Sequence, residues 1–273
     1  MRIALLSDSH LAAIAPACNA NWQAVREYVT RCGADLTVHL GDITLDAETD
    51  PSQLEVVSAM CDAWPSSLLF LPGNHDIGDN PPAPDVPAKH PLDRELLERY
   101  RRSFGPDFWT ANADGWLIIG LNAQLFGSGS AEEADQWRWL EQCINAAGRR
   151  PVILMQHKPL FQNTRDDARP HIRYVPMEPR RRLLAMLASL NLRIVFSGHT
   201  HQYLDRTFDG VRHIWIPSTS FFIPDNAQER VGEKVTGLGL LEIDGEHYRF
   251  DLVCPEGVVR HNLTEQSLNS KLK

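Results

Sequence analysis

The chain has 273 residues, 43% of them hydrophobic and 23% charged, with a mean hydropathy of -0.29. That composition can bury a large core, and no apolar run approaches the roughly 18 residues of a membrane span. A formal charge of -8 argues against a long nucleic-acid footprint, although two divalent ions would bring it to about -4 (-8 + 4).

The opening "MRIALLSDSHL" has a short apolar stretch followed at once by acid, which predicts a first strand over 2–8 rather than a signal peptide. Further strands are predicted at 35–42, 67–73, 115–122, 151–157 and 192–198, with helical periodicity around 20–32, 52–63, 92–103, 132–147 and 179–190. Trp137, Leu140 and Ile144 in "EEADQWRWLEQCI" make an i, i+3, i+7 stripe for core packing. After residue 203, "YLDRTF", "VRHIWIP", "GLLEI" and "HYRFDLV" with Asp-Gly turns predict antiparallel hairpins. The alternation is that of an α/β layered fold. Two stretches interrupt it: the proline-rich 77–91 and the long charged connection 161–180, loops of a length that usually shapes a site. Cys18, Cys32, Cys61, Cys143 and Cys254 form no C-x-x-C pair, which reads as reduced thiols in a cytoplasmic protein.

The predicted strands end in ligand-type residues. The first ends at Asp8-Ser9-His10, the second at Gly41-Asp42, and the third runs into Gly73-Asn74-His75-Asp76. The fifth ends at His157 and the sixth at Gly198-His199-Thr200-His201. Carboxyl ends of strands in an open α/β sheet converge on a crevice, so five segments would bring Asp, Asn and His to one place. Each element alone also fits a turn with a surface histidine, whereas the ordered set points to metal. His39, inside a strand, reads as a core histidine, and His213, His247 and His261 carry no signal of a site. His90, His171, Arg165, Arg169 and Arg173 lie in the two irregular loops, as substrate contacts or as solvated charge.

The series DSH, GD, GNHD, H, GHTH resembles that of the calcineurin-like metallophosphoesterases, and "QWRWLEQ" is similar to that family's helix before the histidine strand. The resemblance covers about residues 1–250. It implies a four-layer α/β/β/α sandwich, with the late hairpins in the second sheet. It also implies a single domain over 1–259, followed by a polar tail over 260–273. Within it, one ion would be held by Asp8, His10, Asp42 and His201, and a second by Asp42, Asn74, His157 and His199. Mixed imidazole and oxygen ligation favours two divalent or mixed-valence Mn, Fe or Zn ions over Mg or Ca. A metal-activated hydroxide would attack phosphorus, with both ions stabilising the phosphoryl oxygens. His75 would protonate the leaving-group oxygen or stabilise the transition state, and Asp76 would orient its ring.

Two departures narrow the resemblance. Purple acid phosphatases have a tyrosine three residues after the bridging aspartate, where this chain has Leu45. Many cyclic-nucleotide phosphodiesterases have a second histidine where this chain has Lys158, whose ammonium would bind a substrate anion or point to solvent. The expected activity is hydrolysis of small soluble phosphodiesters, with cyclic nucleotides as a candidate class. The alternatives are a phosphomonoesterase or nucleotide pyrophosphatase, then a nuclease, then a non-catalytic scaffold. Neither a membrane nor a nucleic acid is an expected partner.

Overall fold

In β1 (Arg2–Leu6) successive side chains enter different cores, Ile3 and Leu5 one buried cluster, Ala4 and Leu6 another. The computed structural model describes residues 1–264. After β1 the chain forms α1 (Pro16–Cys32), β2 (Leu36–His39), α2 (Gln53–Cys61), β3 (Ser67–Phe70), the single turn α3 (Asn74–Ile77) and α4 (Arg94–Phe104). Then come β4 (Trp109–Ala113), β5 (Trp116–Leu121), α5 (Ala131–Ala147), β6 (Pro151–Gln156), α6 (Met177–Leu187) and β7 (Asn191–Ser197). The last elements are β8 (Leu204–Phe208), β9 (Val211–Trp215), β10 (Phe221–Phe222), β11 (Leu238–Asp244), β12 (His247–Val253) and β13 (His261–Asn262).

One sheet has the order β12-β11-β1-β2-β3 and the other β4-β5-β6-β7-β9-β8. The two stack on Ile3, Leu5 and Val38 from the first and Ile118, Ile153, Met155 and Phe196 from the second. The outer face of the first sheet packs on α1, α2 and α4 through Trp22, Val25, Leu54 and Leu97. That of the second packs on α5 and α6 through Trp137, Leu140, Leu183 and Leu187. Each strand between the two cores alternates between them, as Val152, Ile153, Leu154 and Met155 do in β6. The result is the four-layer α/β/β/α sandwich. Full burial of each such aliphatic chain contributes about 1.5–3 kcal/mol.

The late hairpins divide between the sheets instead of sharing the second. β8–β9 extends the second through the parallel pairing of β9 with β7, whereas β11–β12 extends the first through the antiparallel pairing of β11 with β1. The reason is burial: Leu241 and Ile243 of β11 face the core between the sheets, and Leu238 faces the helices. β4 is an additional strand, paired with β5 across Asp114-Gly115, where φ is 48° and 88°. Of the expected tail, His261 and Asn262 pair with Phe221 and Phe222, and residues 265–273 lie outside the described residues. Among the described residues no helix is long and apolar enough to cross a membrane.

His213 on β9 is buried, its ring 5.0 Å from that of Phe161. Burial, then the charge of Arg206, pushes its imidazole down to about 4. Between that value and the ordinary 6.5 the unfolded chain takes up a proton that the folded one refuses. This group's contribution is therefore complete above pH 6.5 and is lost as pH falls to about 4, by roughly 3 kcal/mol. Denaturant titrations of the wild type and His213→Leu should diverge across that window, with the variant's profile the flatter. Parallel profiles would refute the assignment.

Candidate metal centre

The loops after β1, β2 and β7 hold their polar residues in a backbone region that side chains avoid. Asp8, His10, Asp42, His199 and His201 have φ between 46° and 65°. Elsewhere among the described non-glycine residues, only Asp114 and Asp209 have positive φ. Such a conformation costs on the order of 1–2 kcal/mol per residue and persists where its surroundings fix it. Here the loops fix one another: Asp8 N donates to Gly41 O at 2.9 Å, His10 N to Asp42 O at 3.1 Å and Gly198 N to His157 O at 2.8 Å. His199 N donates to Asp8 Oδ2 at 3.0 Å. Gly41 is required at this crossing: its φ is 111°, and a Cβ there would lie 2.6 Å from His157 Nδ1.

The side chains form two clusters that share one carboxylate. His10 Nε2 and His201 Nε2 are 3.1 Å apart, and His201 Nε2 is 3.4 Å from Asp8 Oδ1. His157 Nε2 and His199 Nδ1 are 3.0 Å apart. Asp42 Oδ2 lies 3.4 Å from His157 Nε2 and 3.9 Å from His10 Nε2, between the pairs. His199 and His201, one residue apart, therefore serve different clusters. Asn74 is on α3, whose next residue, His75, donates its N–H to Asp42 Oδ1 at 2.9 Å.

The donor set fits metal ions. His157 Nδ1 is 2.9 Å from the Leu40 carbonyl and His201 Nδ1 is 2.8 Å from that of Phe221, so these nitrogens carry the protons. Their Nε2 lone pairs then face the carboxylates of Asp42 and Asp8, a contact that needs a cation between. Asp8 Oδ1 and Asn74 Oδ1 are buried with no hydrogen-bond partner. Neighbouring donors about 3 Å apart also match bonds of roughly 2.0–2.2 Å to a shared ion. No lysine or arginine pairs with Asp8 or Asp42 among the described residues. Burial works against a charged His157, but Asp42 outweighs it and holds the imidazole up at about 9, so the pocket demands positive charge. Burial raises Asp8, with His201 and His157 opposing. The absent group is thus matched by charge, donor type and orphaned lone pairs together.

Asp76 differs from expectation. Both its oxygens are taken by other groups: Ile43 N (3.1 and 3.2 Å), Thr44 N and Thr44 Oγ1 (2.8 Å each) and Gly73 N (2.8 Å). No hydrogen bond joins it to the His75 ring, whose buried Nδ1 has no partner. Asp76 instead braces the Asp42 loop against the loop that carries Asn74 and His75. Lys158 departs from both readings of its ammonium: it is fully buried, 2.5 Å from Asp79 Oδ1 and 2.6 Å from Asn80 Oδ1. His39 is a core histidine, its Nε2 2.7 Å from Ser9 Oγ.

The segment 218–221 is one that sequence reasoning missed. Ser218 Oγ donates to the Asp8 carbonyl at 2.7 Å, Thr219 Oγ1 meets Ser9 Oγ at 2.9 Å, and Phe221 stacks on His10 and His201 at 5.0 and 4.7 Å. Its one signal is a run of small hydroxyl residues, "STS", after an apolar strand.

Residues 1–203 match the calcineurin-like phosphoesterase family. The chain belongs to that family. Human serine/threonine-protein phosphatase CPPED1 is 27% identical over 150 residues, 53% of this chain and 44% of that protein, so this chain spans less than half that relative's length. The 3',5'-cyclic adenosine monophosphate phosphodiesterase CpdA of Escherichia coli is 26% identical over 233 residues, 80% of this chain and 76% of CpdA. The crystal structure of a dimetal phosphatase from Danio rerio superposes with a TM-score of 0.62 at 15% identity, over 92% of this chain and 95% of that one, a likeness of fold. Calcineurin-like phosphoesterases hydrolyse phosphoesters with a dinuclear metal centre, and candidate ligand groups for one are present here.

Proposed function

We propose that the chain is a cytoplasmic dinuclear phosphodiesterase acting on small soluble diesters, cyclic nucleotides among them. The observation that carries this reading is the place of Asp42 Oδ2 between the His10 and His157 clusters. Asp8, His10, Asp42 and His201 would hold one ion, and Asp42, Asn74, His157 and His199 the other. Ions so bound supply Lewis acidity and a nucleophile at neutral pH, and the imidazole, carboxylate and amide donors suit Mn, Fe or Zn.

The chain's own residues supply the rest. His75 is tied by its backbone N–H to Asp42 Oδ1, and its ring lies edge-on to that of His10 with centroids 4.9 Å apart. Burial disfavours its charged form, yet Asp42, Glu48 and Asp76 together raise its pKa. An imidazole that keeps its proton beside the two clusters is suited to donate it to the departing oxygen. Asp76 holds the loop of His75 and that of Asp42 at a fixed spacing.

The diester preference is supported by the similarity to CpdA, which extends over more of both chains than that to CPPED1. The phosphatase name of CPPED1 supports a monoester reading of the same site. Protein reconstituted separately with Mn, Fe and Zn and assayed on bis-p-nitrophenyl phosphate, p-nitrophenyl phosphate and cyclic AMP decides. Diesters should be turned over with the higher kcat/KM. A preference for the monoester selects the second reading, and no turnover with any of the three metals refutes both.

A further inference from the structure

The connection 161–180 carries four arginines, and their surroundings differ. Arg165 pairs with Asp209 at 3.1 Å. Arg169 is exposed, and Arg180 is buried on the carbonyls of Leu160 and Val175. Arg173 is half-buried, and among the described residues its guanidinium makes no hydrogen bond or ion pair. Five donors held partly out of water without an acceptor are unfavourable unless an anion arrives.

Its position says which anion. Burial, the charges of His157 and Lys158, and then that of Arg173 hold His199 well below the usual imidazole range, so the guanidinium is within electrostatic reach of that ring. The Arg173 segment is stitched to the end of β6, where Val175 N donates to Pro159 O at 2.9 Å, two residues after His157. Beside it opens a cleft of about 560 Å³ lined by Pro81, Pro84, His171, Tyr174 and Glu229. The far wall is tied to the His199–His201 loop: Gln228 Nε2 donates to Thr200 O at 2.9 Å and Gln202 Nε2 to Glu229 O at 3.1 Å. No candidate ligand lines this cleft, so it adjoins the metal centre on the His157–His199 side rather than covering it.

We propose that Arg173 is a substrate-binding residue, gripping phosphoryl oxygens of the ester on the His199 side while the cleft takes the organic group attached to them. The proposal rests on the phosphoesterase reading. A planar guanidinium matches two phosphoryl oxygens at once, and proline and tyrosine faces suit an aromatic or apolar substituent.

The test uses Mn-loaded wild type, Arg173→Gln and Arg173→Lys. Losing one charge-assisted contact should raise KM for bis-p-nitrophenyl phosphate and the inhibition constant of inorganic phosphate by about 10–100-fold in Arg173→Gln. kcat should change far less, Arg173→Lys should recover part of the loss, and metal content should equal that of the wild type. Unchanged KM and inhibition constants overturn the proposal, as does a fall in metal content, which would make Arg173 a support for His199. If the wild type hydrolyses no ester, the phosphoesterase reading fails by itself. Calorimetry with inorganic phosphate then decides: weaker binding to Arg173→Gln upholds the anion site, and equal or no binding overturns it.

Discussion

His75→Ala should slow hydrolysis of a phosphodiester with a poor leaving group by roughly 10²–10⁴-fold while leaving two metal ions per chain bound. Three observations set this expectation. The His75 ring lies against His10 without filling any of the facing imidazole pairs that would hold the ions. Its Nδ1 is buried without a partner, and its neighbours Asp42 and Glu48 favour its protonated form against burial. A proton donor matters most where the departing oxygen is basic, so the loss should shrink on a nitrophenyl ester. An equal loss on both esters would assign His75 to charge stabilisation in the transition state. A collapse of metal content would make it part of the ligand cage.

Lys158→Met should destabilise the protein by about 3–5 kcal/mol, because it leaves the Asp79 carboxylate in a mostly buried place without its cation. Lys158 is fully buried and reaches both Asp79 and Asn80, while Asn80 Nδ2 donates to Phe126 O at 2.7 Å. The same Asp79 closes the proline-rich loop, its N–H donating to His90 O at 2.7 Å and its carbonyl accepting from Leu92 N at 2.9 Å. At this chain length the loss corresponds to a fall in Tm on the order of 10 °C. The double variant Lys158→Met/Asp79→Leu should regain much of it, since an apolar pair of similar volume replaces a buried ion pair at little cost. A single variant within 1 kcal/mol of wild type, or a double variant no better than the single, would show that the pair does not hold the loop.

The layers and the ligand types were readable in the sequence because both depend on local pattern. Strand alternation such as Val152-Ile153-Leu154-Met155 is visible in one dimension, and so is the placing of Asp, Asn and His just past apolar runs. What stayed hidden depends on partners far along the chain. Asp76 follows His75 directly, which suggests a ring contact, yet its acceptors serve Ile43 and Thr44, 33 and 32 positions away. Lys158 follows His157, but its charge is used by Asp79, 79 positions earlier in the chain (158 − 79 = 79). The "STS" run has neither periodicity nor charge, and acquires its role from β1 lying beside it. The hairpins were legible one by one, while their division between sheets depends on whether β1 or β7 offers the open edge.

The left-handed backbone at Asp8, His10, Asp42, His199 and His201 has a consequence for how the chain tolerates change. Glycine is the one residue that relaxes such a position, so a glycine at any of the five would firm the fold while deleting a donor atom. Selection for thermal robustness alone would therefore erode the centre, and selection for turnover alone keeps five places under tension. The same residues mark where improvement in one property is bought with loss of the other.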